Sequence, residues 1–304
     1  MQQTFKCFLL FLAFAFASSV GSAESLYGIS SFVAGSPQQL YTIDTATSVV
    51  TSSVAIQAPI GSTTFALRSI DVRPSTGQLY GIGFNDNQLY TVNTASGVLT
   101  AIGSPLPVSG AIDFNPTVDL IRLIGRSTPN TSYRVNPTTG AVVMLDGQPT
   151  FAAGDANDGD IADIRTVAYT NSVTGAVSTT LYDIDVSNDI LATQNPANAG
   201  TLQTVGSVGV NLANGFLGSG FTGFDISGAT GVAYLTDALP GQLSGLYTVN
   251  LTTGLASFQG NISGLVGQGV IADIAAIGSA VPEPATLCLA LACGMATVGI
   301  KRRR

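Results

Sequence analysis

Histidine and tryptophan are absent from the 304-residue chain, and its three cysteines (Cys7, Cys288, Cys293) and two lysines (Lys6, Lys301) fall in the first and last segments. Residues 24–280 therefore carry no thiol, imidazole, indole or lysine amine. These gaps exclude whole classes of chemistry from that stretch: a Ser-His-Asp triad, a Cys-His dyad, and any zinc centre built on imidazole or thiolate. No disulfide can form there, so stability has to come from burial over a length that supports a sizeable core. Positive charge is also scarce. Six arginines (Arg68, Arg73, Arg122, Arg126, Arg134, Arg165) stand against 17 acidic residues between 24 and 280, a net of −11. A surface of that sign repels polyanions and argues against nucleic acid as a partner.

What is present at the two ends reads as addressing. Lys6 precedes an apolar run from Cys7 to Ala17, and Ser18 to Ala23 is small and polar, with Gly21 and Ala23 where a signal peptidase would need small residues. Residues 1–23 are expected to be a signal peptide cleaved after Ala23, since so short an apolar core cannot span a bilayer. At the other end Val281-Pro282-Glu283-Pro284 precedes the apolar run Ala285 to Ile300 and the basic end Lys301-Arg302-Arg303-Arg304. Pro282 and Pro284 lack donors and hold Val281 and Glu283 extended, so the motif stands outside any helix. Residues 285–300, if helical, span about 24 Å, a marginal transmembrane anchor. The four terminal cations are expected to stay on the cytoplasmic side. This layout of motif, apolar helix and terminal arginines resembles the PEP-CTERM sorting signal of Gram-negative bacteria. The resemblance implies recognition by an exosortase, removal of the tail by a cut in or near Val281 to Pro284, and release or surface attachment of the remainder. An ordinary C-terminal anchor is the alternative.

Between the ends a phrase recurs: Leu40-Tyr41-Thr42-Ile43-Asp44, Leu89-Tyr90-Thr91-Val92-Asn93, Tyr133-Arg134-Val135-Asn136 and Leu246-Tyr247-Thr248-Val249-Asn250, with a weaker copy at Leu181-Tyr182-Asp183-Ile184-Asp185. Each is a β-branched and aromatic run ending in Asp or Asn, whose side chain can accept from the backbone two residues on. Small residues and usually a glycine follow, as at Gly97, Gly140 and Gly254, which predicts a strand entering a hairpin. A second phrase precedes it: Ser69-Ile70-Asp71-Val72, Ala111-Ile112-Asp113-Phe114, Thr166-Val167-Ala168-Tyr169, Gly223-Phe224-Asp225-Ile226, and last Ile271-Ala272-Asp273-Ile274. The tyrosines of the first phrase lie 49, 43, 49 and 65 residues apart, close to the ~40–50 residues of a four-stranded propeller blade, and the longest interval is read as holding a Gly/Asn-rich insertion around Gly206 to Gly220. The first strands of the body lack a preceding inner strand, and the strand at 271–277 lacks followers. Joining them predicts an all-β fold, a β-propeller of five four-stranded blades closed by the N- and C-terminal strands of residues 24–280. Six blades, a β-sandwich or a β-helix are the alternatives.

The body also resembles an uncharacterised domain family of bacterial exported and PEP-CTERM proteins, in which Leu-Tyr-x-Ile-Asp hairpins alternate with segments like Val-Asp-Phe-Asn-Pro. The segments carrying the likeness are Ala111 to Arg122, Tyr133 to Gly140, Ala153 to Asp158 and Ala168 to Ile184. The resemblance implies fold and export and supplies no chemistry.

Candidate chemistry is then limited to carboxylates. The loop Gly154 to Asp163 offers Asp155, Asn157, Asp158 and Asp160 as calcium ligands, although the spacing is out of step with a calcium loop and no glutamate closes it. No other cofactor is expected. Asp71, Asp113, Asp225 and Asp273 could ring a central channel as a glycosidase pair would need, but a residue recurring once per blade more often fixes a turn or a blade-to-blade hydrogen bond than performs chemistry. The repeated tyrosines read as blade packing. The expectation is a non-enzymatic, exported cell-surface or extracellular-matrix protein, associated through the PEP-CTERM resemblance with exopolysaccharide and biofilm. Its expected partners are signal peptidase, exosortase and extracellular polysaccharide, with membrane contact only through the tail. A carbohydrate- or calcium-binding module, or a carboxylate-based polysaccharide-active enzyme, are the alternatives.

Overall fold

A computed structural model of the chain describes residues 24–59, 65–212, 221–239, 242–267 and 269–278. The expected signal peptide with Ala23, and the tail with Val281, Pro282, Glu283, Pro284, the apolar run 285–300, Lys301, Arg302, Arg303 and Arg304, lie outside the described residues. Among the described residues no helix is long and apolar enough to cross a membrane.

The described residues form five antiparallel sheets arranged as a five-bladed β-propeller. The first blade joins both ends of the body: β1 (Ser25–Ser30), β2 (Gln39–Asp44) and β3 (Val49–Ala55) stand beside an inner strand, β21 (Ile271–Ala276), from the far end of the sequence. Blade two is β4 (Leu67–Val72), β5 (Leu79–Gly83), β6 (Leu89–Val92) and β7 (Leu99–Ile102). Blade three is β8 (Gly110–Asn115), β9 (Leu120–Gly125), β10 (Ser132–Val135) and β11 (Val142–Leu145). In blade four a two-residue strand, β12 (Thr150–Phe151), lies parallel along the outer edge of β13 (Ile164–Tyr169), β14 (Leu181–Asp185), β15 (Ile190–Gln194) and β16 (Thr201–Ser207). Blade five is β17 (Phe221–Ile226), β18 (Ala233–Ala238), β19 (Gly245–Val249) and β20 (Ala256–Asn261).

Turn chemistry sets this pattern locally. Asn93, Asn136 and Asn250 each accept from two backbone N–H groups two and three residues on, so the strand stops where its side chain replaces a ladder partner. Gly140 and Gly254 follow at φ +68° and +82°, the left-handed position the hairpin demands. The weaker copy of the hairpin phrase is one strand out of place. Leu181–Asp185 is the second strand of its blade, equivalent to β1 and β5, and the third strand is Ile190–Gln194. Part of the glycine-rich segment read as an insertion, Gly206 included, belongs to β16, the fourth strand of its blade.

Burial follows position within the blade. Inner strands β8, β17 and β21 are buried along nearly their whole length, whereas outer strands β3, β11 and β20 are largely exposed. The apolar core is divided into five clusters, one between each pair of neighbouring blades, such as Ile29, Leu67, Ile70 and Tyr90 between blades one and two. At the junction of blades three and four the buried Arg122, 1% exposed, donates to Asp146 (2.6 Å), Asn198 (2.7 Å) and Ser132 (2.9 Å), and Asp146 also holds Arg134. An uncompensated guanidinium there would be costly, so this cluster has to form as a unit.

Closure brings β17 against β21 so tightly that side-chain volume is excluded. A Cβ on Gly223 would lie 2.8 Å from Asp273 Cα and 2.9 Å from Ile274 N, both backbone atoms that cannot step aside. Gly223→Ala is therefore expected to lower stability by about 1–3 kcal/mol, the usual cost of overpacking. Urea unfolding would show this as a lower midpoint at unchanged slope, and an unchanged midpoint would mean the ring has slack at this seam.

Candidate functional site

The five inner strands surround a channel, and each exposes an edge whose backbone N–H groups have no further strand to bond. Buried donors of that kind need acceptors. The recurring polar residues supply them across each blade boundary. Asp71 Oδ2 accepts from Phe114 N at 2.6 Å and Asp113 Oδ1 from Tyr169 N at 2.9 Å. Asp225 Oδ2 accepts from Ala276 N at 2.5 Å and Asp273 Oδ2 from Ile70 N at 3.0 Å. Between blades four and five, where the equivalent position is Ala168, Thr166 Oγ1 donates instead to the carbonyl of Phe224 at 3.3 Å. Asp273 stands two residues before the Asp71-equivalent position, Ala275, and matches Ser69, which accepts from Ile112 N at 3.1 Å. Every boundary in the ring thus has a side-chain latch, and the sequence expectation of a blade-to-blade role for these aspartates holds in the geometry.

The latches also crowd charge. Oxygens of Asp71, Asp113 and Asp225 lie within 4.8 Å of one another, all buried, the one convergence of three or more such groups among the described residues. Burial, then mutual repulsion, raises Asp71 and Asp113 well above the ordinary carboxylate range. Burial pushes Asp225 up to about 7 against its bonds from Ala276 and Ile226. It pushes Asp273 up to about 7 as well, against the hydrogen bonds of Ser69, Ile70 and Ile274. A fifth acid, Asp183 on β14, is raised to about 8 by burial, partly offset by Arg122, and its carboxylate has no hydrogen-bond partner among the described residues. The ring can therefore exist as shared-proton carboxylic acids, or as carboxylates around a cation.

Beyond the aspartates the inner strands end in a cavity of about 750 Å³, lined by Asp71, Arg73, Thr174, Asp225 and Ile277 among others. The loop from β13 to β14 leans across it, Thr174 Oγ1 donating to the Pro74 carbonyl at 2.7 Å. Arg73 is fixed at the rim by Asp119 (2.5 Å) and Tyr80. The loop carrying Asp155, Asn157, Asp158 and Asp160 lies elsewhere, on the outer edge of blade four. There Asp155 accepts from Thr204 N at 2.8 Å and Oγ1 at 2.6 Å and from Asn157 N at 2.9 Å, while Asp158 closes back on Gly154 N at 2.8 Å. Burial raises Asp155, but these donors outweigh it and hold its carboxyl below the usual range. The oxygens of Asp155 and Asp158 serve the loop's own closure onto β16.

A family model for a domain of unknown function, DUF4394, matches residues 61–275. The chain belongs to this family. The match runs from before β4 into β21, four whole blades and the closing strand, and it assigns DUF4394 no activity. No curated protein matches the chain. Among solved structures it is similar to a glutaminyl cyclase of Myxococcus xanthus, with 11% identity over 70% of this chain and 84% of that one, at a TM-score of 0.46. A chain of a nidogen/laminin complex matches with 11% identity over 84% of this chain and 99% of that one, at 0.48. A protein of unknown function from Bacteroides caccae matches with 14% identity over 84% and 99%, at 0.39. Likenesses this distant carry no argument about function.

The acid ring gives this DUF4394 propeller a defined pH response. Unfolded aspartates release their protons near 3.8, whereas Asp225 and Asp273 keep theirs up to about 7 in the folded ring. The folded state binds more protons between those values, so this contribution to stability is fully present below about 4 and is lost as pH rises through 7. Thermal melts are expected to shift down by several degrees from pH 5 to pH 8, with Asp225→Asn flattening the difference. A melting temperature that rises over that range would show the ring to be ionised and held by something other than protons.

Proposed function

We propose that this DUF4394 protein is an exported, non-catalytic propeller with a structural or interaction role at the cell surface or in the extracellular matrix, associated with exopolysaccharide and delivered by exosortase processing of its tail. The observation that carries the non-catalytic part is the commitment of the channel aspartates. Asp71 and Asp225 each accept with both oxygens from backbone N–H groups, at 2.5–2.6 Å, which supports a latching role over that of an acid or nucleophile. Export is supported by the sequence at both ends, the apolar leader ending at Ala23 and the PEP-CTERM-like tail from Val281 to Arg304. Freedom from disulfides suits such a body, because ring closure by β21 leaves no long open edge.

A second reading is a cation-binding module. The convergence of Asp71, Asp113 and Asp225 oxygens within 4.8 Å favours it, since a calcium ion takes several carboxylate oxygens. The two readings part in one experiment. At pH 8 the scaffold is expected to melt at the same temperature in calcium and in chelator. A calcium-dependent rise of more than about 5 °C that disappears in Asp113→Asn would establish the cation site.

For export, mass spectrometry of the protein from a host with an exosortase is expected to find a chain starting at Glu24 and lacking residues 301–304. Full-length chain in the cytosol would overturn the export reading.

A further inference from the structure

The opposite end of the channel has the opposite charge. Arg68 and Arg165 are the second residues of β4 and β13, and Arg126 directly follows β9, whose last residue Gly125 pairs with Gly110, the first of β8. The three arginines thus stand at the start of the inner strands of blades two, three and four, whereas Asp71, Asp113 and Asp225 lie toward their finish. The remaining arginines of the body are neutralised elsewhere: Arg73 by Asp119, and Arg122 and Arg134 by Asp146. Among the described residues one carboxylate, Asp163, is paired with any of the three, bonding Arg165 at 2.6 Å.

Arg68 is held over the Phe84 ring at 4.0 Å and donates through Nε to Ser109 at 3.2 Å. Among the described residues the side chain of Arg126 makes no hydrogen bond, and its Nε, like that of Arg165, is buried without a partner. Burial, reinforced by repulsion between these guanidiniums, lowers Arg68 to about 9 and Arg126 to about 10. Two further polar atoms lie unmatched at the same end among the described residues, the second carboxylate oxygen of Asp163, Oδ1, as an acceptor and the hydroxyl of Thr131, next to Gly125, as donor or acceptor. The spacing is rigid. Asn130, 1% exposed, accepts from Ile164 N at 2.8 Å and donates to Gly125 O at 2.8 Å, tying the residues beside Arg126 and Arg165 together.

Donors without acceptors, rigidly spaced beside an acceptor without a donor, define the ligand that completes them. We propose that Arg68, Arg126 and Arg165 form a binding site for a carboxylate carried next to hydroxyl groups, an acidic sugar or hydroxy acid, with the carboxylate on the guanidiniums and a hydroxyl donating to Asp163. Charge-assisted hydrogen bonds to guanidinium are the strong kind, and planar carboxylates match the fork. In a body of net −11 this is the place where an anion meets local positive charge. The assignment stands on these side chains alone and holds wherever the protein resides.

Calorimetric titration of the full-length protein with glucuronate, glucose and sulfate, at ionic strength balanced with chloride, tests it. Glucuronate is expected to bind, glucose not at all, and sulfate at least about tenfold more weakly than glucuronate. Arg126→Gln, which removes no hydrogen bond among the described residues and relieves repulsion, should fold with an undiminished melting temperature and weaken glucuronate at least about tenfold. Arg165→Gln should do the same for binding, and Arg134→Gln should leave it unchanged. Affinity unchanged in Arg126→Gln and Arg165→Gln, glucose bound as well as glucuronate, sulfate bound as tightly, or no binding of glucuronate by the unmodified protein would each overturn the proposal.

Discussion

The ring rests on one constraint: the inner strand of every blade is an edge, and an edge buried in a channel has N–H groups that water cannot reach. A sheet ordinarily meets this by adding a strand, but five blades meeting at an axis have no room for one. The molecule meets it with short side chains sent across each boundary, from Asp71 to Phe114, Asp113 to Tyr169, Asp225 to Ala276 and Asp273 to Ile70. An aspartate suits the task because its carboxylate reaches one strand over and accepts twice, as Asp71 does from Phe114 and Val72. The consequence is electrostatic. Acceptors needed at successive boundaries converge near the axis, and three carboxylates brought within 4.8 Å cannot all be ionised without compensation.

The latches also explain why the repeat is imperfect. Where Ala168 and Ala275 replace aspartate, the boundary is served from two residues earlier, by Thr166 and by Asp273. A fourth and fifth acid at the same level would add repulsion to an already crowded axis, whereas a hydroxyl, or a carboxylate displaced along the strand, keeps the bond and spreads the charge. Asp273 lies toward the arginine end and is felt there, since it stabilises the charged form of Arg126.

Much of this was legible because the responsible residues are local. A strand ending in Asn with a glycine shortly after it identifies a hairpin without reference to anything distant, and Asn93, Asn136 and Asn250 behave as that pattern implies. The orphan strands at the two ends of the body pointed to closure for the same reason. Blade four is shifted by one strand from that reading because Leu-Tyr followed two residues on by Ile or Val occurs in second strands, at Leu26 and Leu79, as well as in third strands, at Leu40 and Leu89. The acidic loop at 154–160 is dense in oxygens in the sequence, and the partner that ties Asp155 to the sheet, Thr204, lies far along the chain where no local pattern marks it. The arginine trio left no signal in the sequence. Arg68 and Arg165 sit inside strands and Arg126 just after one, so no shared motif or spacing relates them, and only ring closure brings them together.

Charge bookkeeping along the channel gives the two ends different standing. At the acid end the crowding has an internal explanation, since each oxygen is required by a backbone donor and protons can remove the excess charge. At the arginine end neither relief is at hand. A guanidinium lowered to about 9 or 10 is still charged at neutral pH, and Arg126 is required by no neighbour, because its side chain bonds none among the described residues. A body with 17 acids could have placed a carboxylate opposite it, as it does for Arg73, Arg122 and Arg134. Residual positive charge, buried beside unmatched polar atoms, costs stability wherever the fold alone is considered. Its presence beside Asp163 Oδ1 and the Thr131 hydroxyl, both also unmatched, favours a surface shaped for something outside the chain.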